Sequence, residues 1–393
     1  MLIPDATPPL APQQAAHSAR VAEQLRVLIA QGGGWLPFSR FMDAALYAPG
    51  LGYYMAGQAR FGAGGDFVTA PELSPLFARC LATQVAELLQ VVGGGDIVEY
   101  GAGSGALAAD LLQALAACQA LPRRYRIVEI SAPLRALQRA RLGQLPELAG
   151  RVEWLDGPPA SGWQGVALVN EVLDALPVER FRIGAAGCES IGVIAAGDGF
   201  EWKPRAADAL LSKAATDLNA ALPESLPQGY VSELRPMLPA WIAAVTATLG
   251  KGAMVVVDYG LPRAQYYHAS RDGGTLCGFF RHRRVEDVFA HPGLQDLTAW
   301  VDFSAVADAA VAAGLEVAGF ATQAHFLASL GIDRHLATAT ADVGIRERLA
   351  LTQGASMLML PAEMGERFKV MVLARGIAGP FTGFCFRDLS ASL

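Results

Sequence analysis

The stretch Asp96-Ile97-Val98-Glu99-Tyr100-Gly101-Ala102-Gly103-Ser104-Gly105-Ala106-Leu107 constrains the fold of this chain more than any other. A short apolar run ends in an acid, crosses glycines at alternate positions, and opens an Ala/Leu-rich segment. Glycine tolerates the left-handed turn needed to leave a strand and start a helix, and it leaves the backbone bare for a ligand. The helix behind it offers unpaired N–H groups and a positive dipole end to an anionic group. The pattern predicts a strand, a ligand-cradling turn and a helix over 106–115, heading an open α/β sheet.

Downstream, strand-like and helix-like segments alternate, which predicts a mostly parallel sheet with helices on both faces. Residues 126–130 read as a second strand closing on Glu129, and 152–155 as a third ending at Asp156. A fourth over 166–169 ends at Asn170-Glu171, and a fifth over 254–257 ends at Asp258. Acids at successive strand ends predict a polar rim where such sheets bind ligands. Residues 315–321 and 368–374 are expected to add an antiparallel pair, giving seven strands.

Around this core, helices are expected over 18–31 and 75–91, the second capped by Ser74 with Pro75 in its first turn. Residues 189–205 alternate around Gly197-Asp198-Gly199 like a hairpin, followed by helices over 206–221 and 238–249. Residues 261–301 read as irregular and too polar for the core. The expected organisation is a flexible tail (1–17), an N-terminal helical and loop region (18–92), a core (93–260) with an insertion over about 180–250, and a C-terminal recognition segment with the last strands (261–393).

Composition, 52% hydrophobic and 17% charged over 393 residues, supports a well-buried globule rather than a disordered chain. A net charge of −6 argues against a general nucleic-acid surface, and no run is long enough to span a membrane. Five scattered cysteines without C-x-x-C spacing give neither a disulfide framework nor a zinc site, and point to a reducing cytoplasm. The histidines show no metal-ligand spacing. Arg281-His282-Arg283-Arg284 is a basic cluster, read as a solvated face or as a contact for an acidic partner.

Two cofactor classes fit the glycine turn. Gly101-x-Gly103-x-x-Ala106 also satisfies a dinucleotide pattern, and a tight turn with no ligand uses the same glycines. Glu99, two residues before the first glycine, favours S-adenosyl-L-methionine, whose amino-acid end a carboxylate can hold; a pyrophosphate needs no such acid. Glu129 is placed for ribose hydroxyls, a device shared with dinucleotide folds. The expected cofactor set is Glu99, Gly101, Gly103, Gly105, Glu129 and Asp156, with Asp66 and Thr69 from the Gly/Pro loop 61–74 folding over it. That loop also reads as a structural turn with an Asx bond.

Five motifs, at 65–74 (Gly65-Asp66-Phe67-Val68-Thr69-Ala70-Pro71-Glu72-Leu73-Ser74), 99–105, 129–131, 170–177 and 295–303, together resemble the MidA-like family over about residues 40–376. The resemblance implies a class I methyltransferase fold, S-adenosyl-L-methionine as cofactor, and methylation of protein arginine, with a respiratory complex I subunit as the partner during assembly. Family members commonly carry histidines where this chain has Glu179 and Trp300.

A guanidinium nucleophile is charged at neutral pH and its fork suits carboxylates, which orient it for attack. Glu171 and Asp174, with Asn170, follow the fourth strand where arginine methyltransferases of this fold keep an acidic clamp; the same residues also read as a helix cap and first-turn acid. The leading expectation is a methyltransferase acting on protein arginine. A cofactor-binding assembly chaperone with little or no transfer is a second reading, kept by Glu179 and Trp300, and a nicotinamide-dependent oxidoreductase is a third.

Overall fold

The computed structural model describes residues 10–57 and 69–393. Helices α1 (Pro12–Gln31) and α2 (Phe38–Tyr47) lead the chain, followed by the single turn α3 (Ala70–Leu73) and by α4 (Pro75–Val92). The Ser74 hydroxyl accepts from the Leu76 amide at 3.3 Å, and Gly93 ends α4 in a left-handed conformation, as the capping residues predict. α1 starts before residue 18, so the expected tail loses residues 12–17 to a helix whose Val21, Leu25 and Ile29 are buried.

Strands β1 (Asp96–Tyr100), β2 (Tyr125–Val128), β3 (Val152–Leu155) and β4 (Trp163–Asn170) follow, with α5 (Ala106–Ala117) after β1 and α6 (Ala132–Leu142) after β2. An inserted antiparallel sheet is built from β5 (Glu179–Gly184), β6 (Gly187–Ala196), β7 (Gly199–Ala206) and β8 (Val231–Leu234), in the order β7-β6-β5-β8. The helix Leu238–Thr246 then provides the crossover to β9 (Leu249–Leu261) that a parallel pairing with β4 requires.

Beyond β9, a second small sheet joins β10 (Cys277–Phe280), β11 (Arg283–Val285) and β12 (Asp296–Thr298); β13 (Val301–Asp302) adds to the end of β9. The chain closes with β14 (Glu316–Thr322) and β15 (Phe368–Arg375). The main sheet runs β14-β15-β9-β4-β1-β2-β3. It is parallel from β9 to β3, while β15 is antiparallel to both β9 and β14. With β13 it has eight strands, one more than expected.

One sheet face packs on α4 and α5 through Leu81, Val85, Leu88, Leu111 and Leu112. The other packs on the helices Leu238–Thr246 and Phe303–Ala312 through Ile242, Val245, Phe303 and Val306. At Gly165, where β4 lies between β1 and β9, a side-chain carbon would stand 1.9 Å from the Asp96 carbonyl, so only glycine admits this approach. Residues 261–301, expected outside the core, bury Tyr266, Tyr267, Cys277, Phe280 and Leu297. Their polar groups turn inward onto one another, which composition alone does not reveal.

α1 and α2 pack on the inserted sheet, with Leu36 bridging to Val193, and share one apolar cluster with Leu297 and Ala299. Both additions therefore collect at the carboxyl edge of the main sheet.

Candidate active site

The chain order reverses between β1 and β4, the topological switch point at which open α/β sheets take ligands. A cavity of ≈ 280 Å³ opens there, walled by the glycine turn, Glu99, Glu129, Asn170, Glu171, Tyr47, Tyr54 and Trp241 among others. Gly101, Gly103 and Gly105 have φ of +65°, +52° and +80°. The turn thus stays outside the conformations open to branched side chains, and it delivers the chain to the N-terminus of α5.

Glu99 is buried at the end of β1, where one carboxyl oxygen accepts the Tyr125 hydroxyl at 2.8 Å. Burial pushes its carboxyl up to about 7, against the lowering effect of the Tyr125 bond. Glu129 follows β2 and accepts from the Ser131 amide at 2.9 Å and from Gln138 Nε2 at 3.2 Å. Burial raises its carboxyl too, opposed by those bonds.

Gln138 was not a sequence-level candidate, yet it organises this half. Fully buried on α6, it donates to the Gly103 carbonyl at 3.0 Å as well as to Glu129, and accepts from Trp154 Nε1 at 2.9 Å. One amide thereby fixes the glycine turn relative to the acid of the second strand.

At the other end, no helix follows β4, which removes the capping explanation for Asn170-Glu171. Glu171 instead has φ of +52°, a strained conformation for a non-glycine residue, and such strain concentrates at functional positions. Its carboxyl accepts from the Ala70 amide at 3.4 Å and from Asn170 Nδ2 at 3.3 Å. Among the described residues no Lys, Arg or His pairs with it. Burial first, then the nearby Asp174, push Glu171 up to about 8.

Asp174 does not line the cavity. It sits in the wall behind, accepting from the Tyr259 hydroxyl and from Thr298 Oγ1, while its other oxygen is buried without a partner. Asp258 accepts from the amides of Leu173 and Asp174, and so pins the bend after β4. Tyr54, in the cavity wall, donates to Asp296 at 2.7 Å.

Of the expected cofactor residues, Glu99, Gly101, Gly103, Glu129 and Thr69 meet at the cavity, and Asp66 lies outside the described residues. Gly105 stands just behind, where a side-chain carbon would press on Gln138 at 3.3 Å. Asp156 departs from expectation: it points to solvent, its carboxylate held by Arg135 at 2.6 Å, because β3 is the edge strand of the sheet, away from the switch point. Tyr47, Tyr54, Met55 and Trp241 escaped sequence reasoning because they come from segments far from the strand ends; the aromatic run at 47–54 was the one available signal.

A family model described as "Putative S-adenosyl-L-methionine-dependent methyltransferase" matches residues 80–321, spanning β1 to β9 and the glycine turn. The chain belongs to this family. The methyltransferase is 42% identical, with a TM-score of 0.92, to a Burkholderia thailandensis protein solved with S-adenosyl-homocysteine bound, covering 99% of this chain and 100% of that one. A native structure from the same organism, of the same identity, gives a TM-score of 0.90. Among curated proteins, it is 29% identical to the Mus musculus protein arginine methyltransferase NDUFAF7, mitochondrial, over 91% of this chain and 86% of that one. The Drosophila melanogaster homolog is 28% identical over 95% and 90%.

These relatives overturn the cytoplasmic expectation, since their names place them in mitochondria. Scattered free thiols report a reducing environment and do not distinguish one such compartment from another. No helix among the described residues is long and apolar enough to cross a membrane.

The residues present suit the methyltransferase's cofactor, S-adenosyl-L-methionine. Among the described residues one oxygen of Glu99 is engaged, by Tyr125, which leaves acceptor capacity toward the cavity that suits an ammonium. Two predictions follow from the acids. If Glu99 holds the ammonium, affinity for S-adenosyl-homocysteine should weaken by up to about tenfold per pH unit as the pH falls below about 7, where its carboxyl takes up a proton and loses its charge. Glu99→Gln should flatten that profile; calorimetry across pH checks it. Glu129→Ala should cost about 1.5–3 kcal/mol of cofactor affinity, the range for hydrogen bonds to a charged group. Unchanged binding would argue against a ribose contact by Glu129.

Proposed function

We propose that this methyltransferase modifies protein arginine, with Glu171 receiving the guanidinium. The observation that carries the reading is a part-buried, desolvated carboxyl on the cavity wall with no cationic partner among the described residues. A buried acid held without a counter-charge is costly, and an incoming guanidinium is a fitting complement. The curated relatives are named protein arginine methyltransferases, which supports the same substrate class. A respiratory complex I subunit is the protein substrate that the family resemblance suggests.

S-adenosyl-L-methionine supplies a methyl group already activated on a sulfonium, so the protein's task is placement and electrostatics. Glu99 and Glu129 would bind the cofactor's amino-acid and ribose ends, and the glycine turn would lie against it. Glu171 would orient the guanidinium and concentrate its charge so that one nitrogen faces the methyl group. Asn170 steadies Glu171 by donating a side-chain N–H hydrogen bond to its carboxyl, and Asp174 acts from behind the wall by raising the carboxyl's proton affinity. Tyr47, Tyr54 and Trp241 give the cavity wall an aromatic lining.

Glu179 and Trp300 lie outside the cavity, with Glu179 accepting from Ser39 and Trp300 beneath the Arg271 guanidinium, so they do not favour a chaperone without transfer. The deciding experiment incubates the protein and labelled S-adenosyl-L-methionine with lysate from a strain lacking it, followed by acid hydrolysis and amino-acid analysis. Label in methylarginine is expected. Label confined to another amino acid would overturn the arginine assignment.

A further inference from the structure

The single turn α3 touches both halves of the site. Its first residue, Ala70, donates its amide to Glu171 at 3.4 Å. Two residues on, Glu72 accepts from the Ser104 hydroxyl in the glycine turn and from Arg141 of α6 at 3.1 Å. Arg141 also reaches Ser104 Oγ at 3.0 Å, closing a three-membered network. The Glu72 side chain is 14% exposed and that of Arg141 35%, so the acid sits inside while its partner reaches the surface.

A helix of one turn has no stability of its own and keeps its position only through such anchors. A third anchor supports it from outside: Gly354 of the helix Ile345–Met359 lies so close that a side-chain carbon there would stand 3.1 Å from the Leu73 carbonyl. Thr69 and Pro71 of the same segment line the cavity. Between the cofactor turn and the acid at the far end, α3 is thus a short rigid connection with a polar contact at each end.

We propose that α3 couples the cofactor turn to Glu171, and that Glu72 is the positioning residue that holds it in register. The coupling to substrate rests on the reading of Glu171 as the substrate acid. Movement of the Ser104 turn draws on Glu72, and through the α3 backbone it shifts the Ala70 amide against the Glu171 carboxyl. Cofactor binding and substrate orientation are therefore set together, although Glu72 touches neither molecule.

The test is Glu72→Ala in the full chain, with Glu72→Gln as the conservative partner. Glu72→Ala should weaken S-adenosyl-homocysteine binding about tenfold, the loss of two charge-assisted bonds being partly offset by water. At saturating cofactor it should also lower kcat for methylarginine formation about tenfold. Glu72→Gln keeps an acceptor and should recover most of both. Weakened binding with wild-type kcat would overturn the coupling, and a lowered Tm with both constants normal would reduce Glu72 to a structural role and overturn it too. If Glu72→Ala does not fold, Arg141→Gln removes the outer partner and should show the same paired losses, smaller in size; normal constants in that variant would overturn the proposal. Wild-type protein that binds S-adenosyl-homocysteine but makes no methylarginine refutes the arginine reading instead.

Discussion

Glu171→Gln should bind S-adenosyl-homocysteine almost as well as wild type while methyl transfer to arginine falls by about 100-fold or more, the scale of a lost buried charge pair. The substitution keeps the size and shape that the bend after β4 accommodates, and the amide oxygen can still accept from Ala70. What it removes is the capacity to become a carboxylate when a guanidinium arrives. Stability should move in the opposite sense to activity. Because desolvation holds the Glu171 carboxyl at about 8 when folded, well above the ordinary glutamate range of the unfolded chain, the native state retains this proton as the unfolded chain loses it. That contribution is fully present below the unfolded value and disappears as the pH rises through about 8. Relative to Gln, wild type should thus lose Tm progressively over that window, and thermal melts at about pH 5 and pH 9 check the sign. A variant that folds, binds and methylates normally would take Glu171 out of the site.

Gly103→Val should abolish measurable cofactor binding, raising the Kd for S-adenosyl-homocysteine by at least about 100-fold, with a smaller effect on folding. A branched residue at φ of +52° is strained by about 1–3 kcal/mol. Relief requires the turn to move, and the turn is the cavity wall. Its carbonyl is also the acceptor for Gln138, so any shift reaches Glu129 through the same amide. Calorimetry reads the loss, and far-ultraviolet circular dichroism confirms that the sheet persists. Unaltered affinity would mean that the ligand does not lie along the turn.

The parts of the site legible in the sequence are those coded by contiguous residues. The turn from Glu99 to Gly105 carries its own geometry, because left-handed backbone and glycine go together. Strand ends were equally readable, since apolar runs of β-branched and aliphatic residues stop at an acid. Gln138 was not readable, because a lone glutamine on a helix face is ordinarily solvated and only the packing of α6 against the turn buries it. β5 and β8 escaped for a related reason: Glu179, Arg180 and Arg182 make β5 look like loop, whereas Arg180 lies across the Trp202 ring and Arg182 pairs with Glu189 on the neighbouring strand. The left-handed backbone at Glu171 is equally invisible, because the sequence offers no glycine or asparagine there.

The inserted sheet leaves the main sheet directly after the bend that carries Glu171 and returns through the helix Leu238–Thr246 before β9. Both of its junctions lie at the carboxyl edge, while Glu99, the glycine turn, Gln138 and Glu129 all belong to the segment from β1 to α6, before it begins. The glycine turn and the two acids beside it are therefore written in a stretch of chain separate from the inserted sheet. Changes within residues 179–234 can therefore accumulate without rebuilding that stretch, provided that the bridge between Leu36 and Val193, where the N-terminal region meets the insertion, is kept.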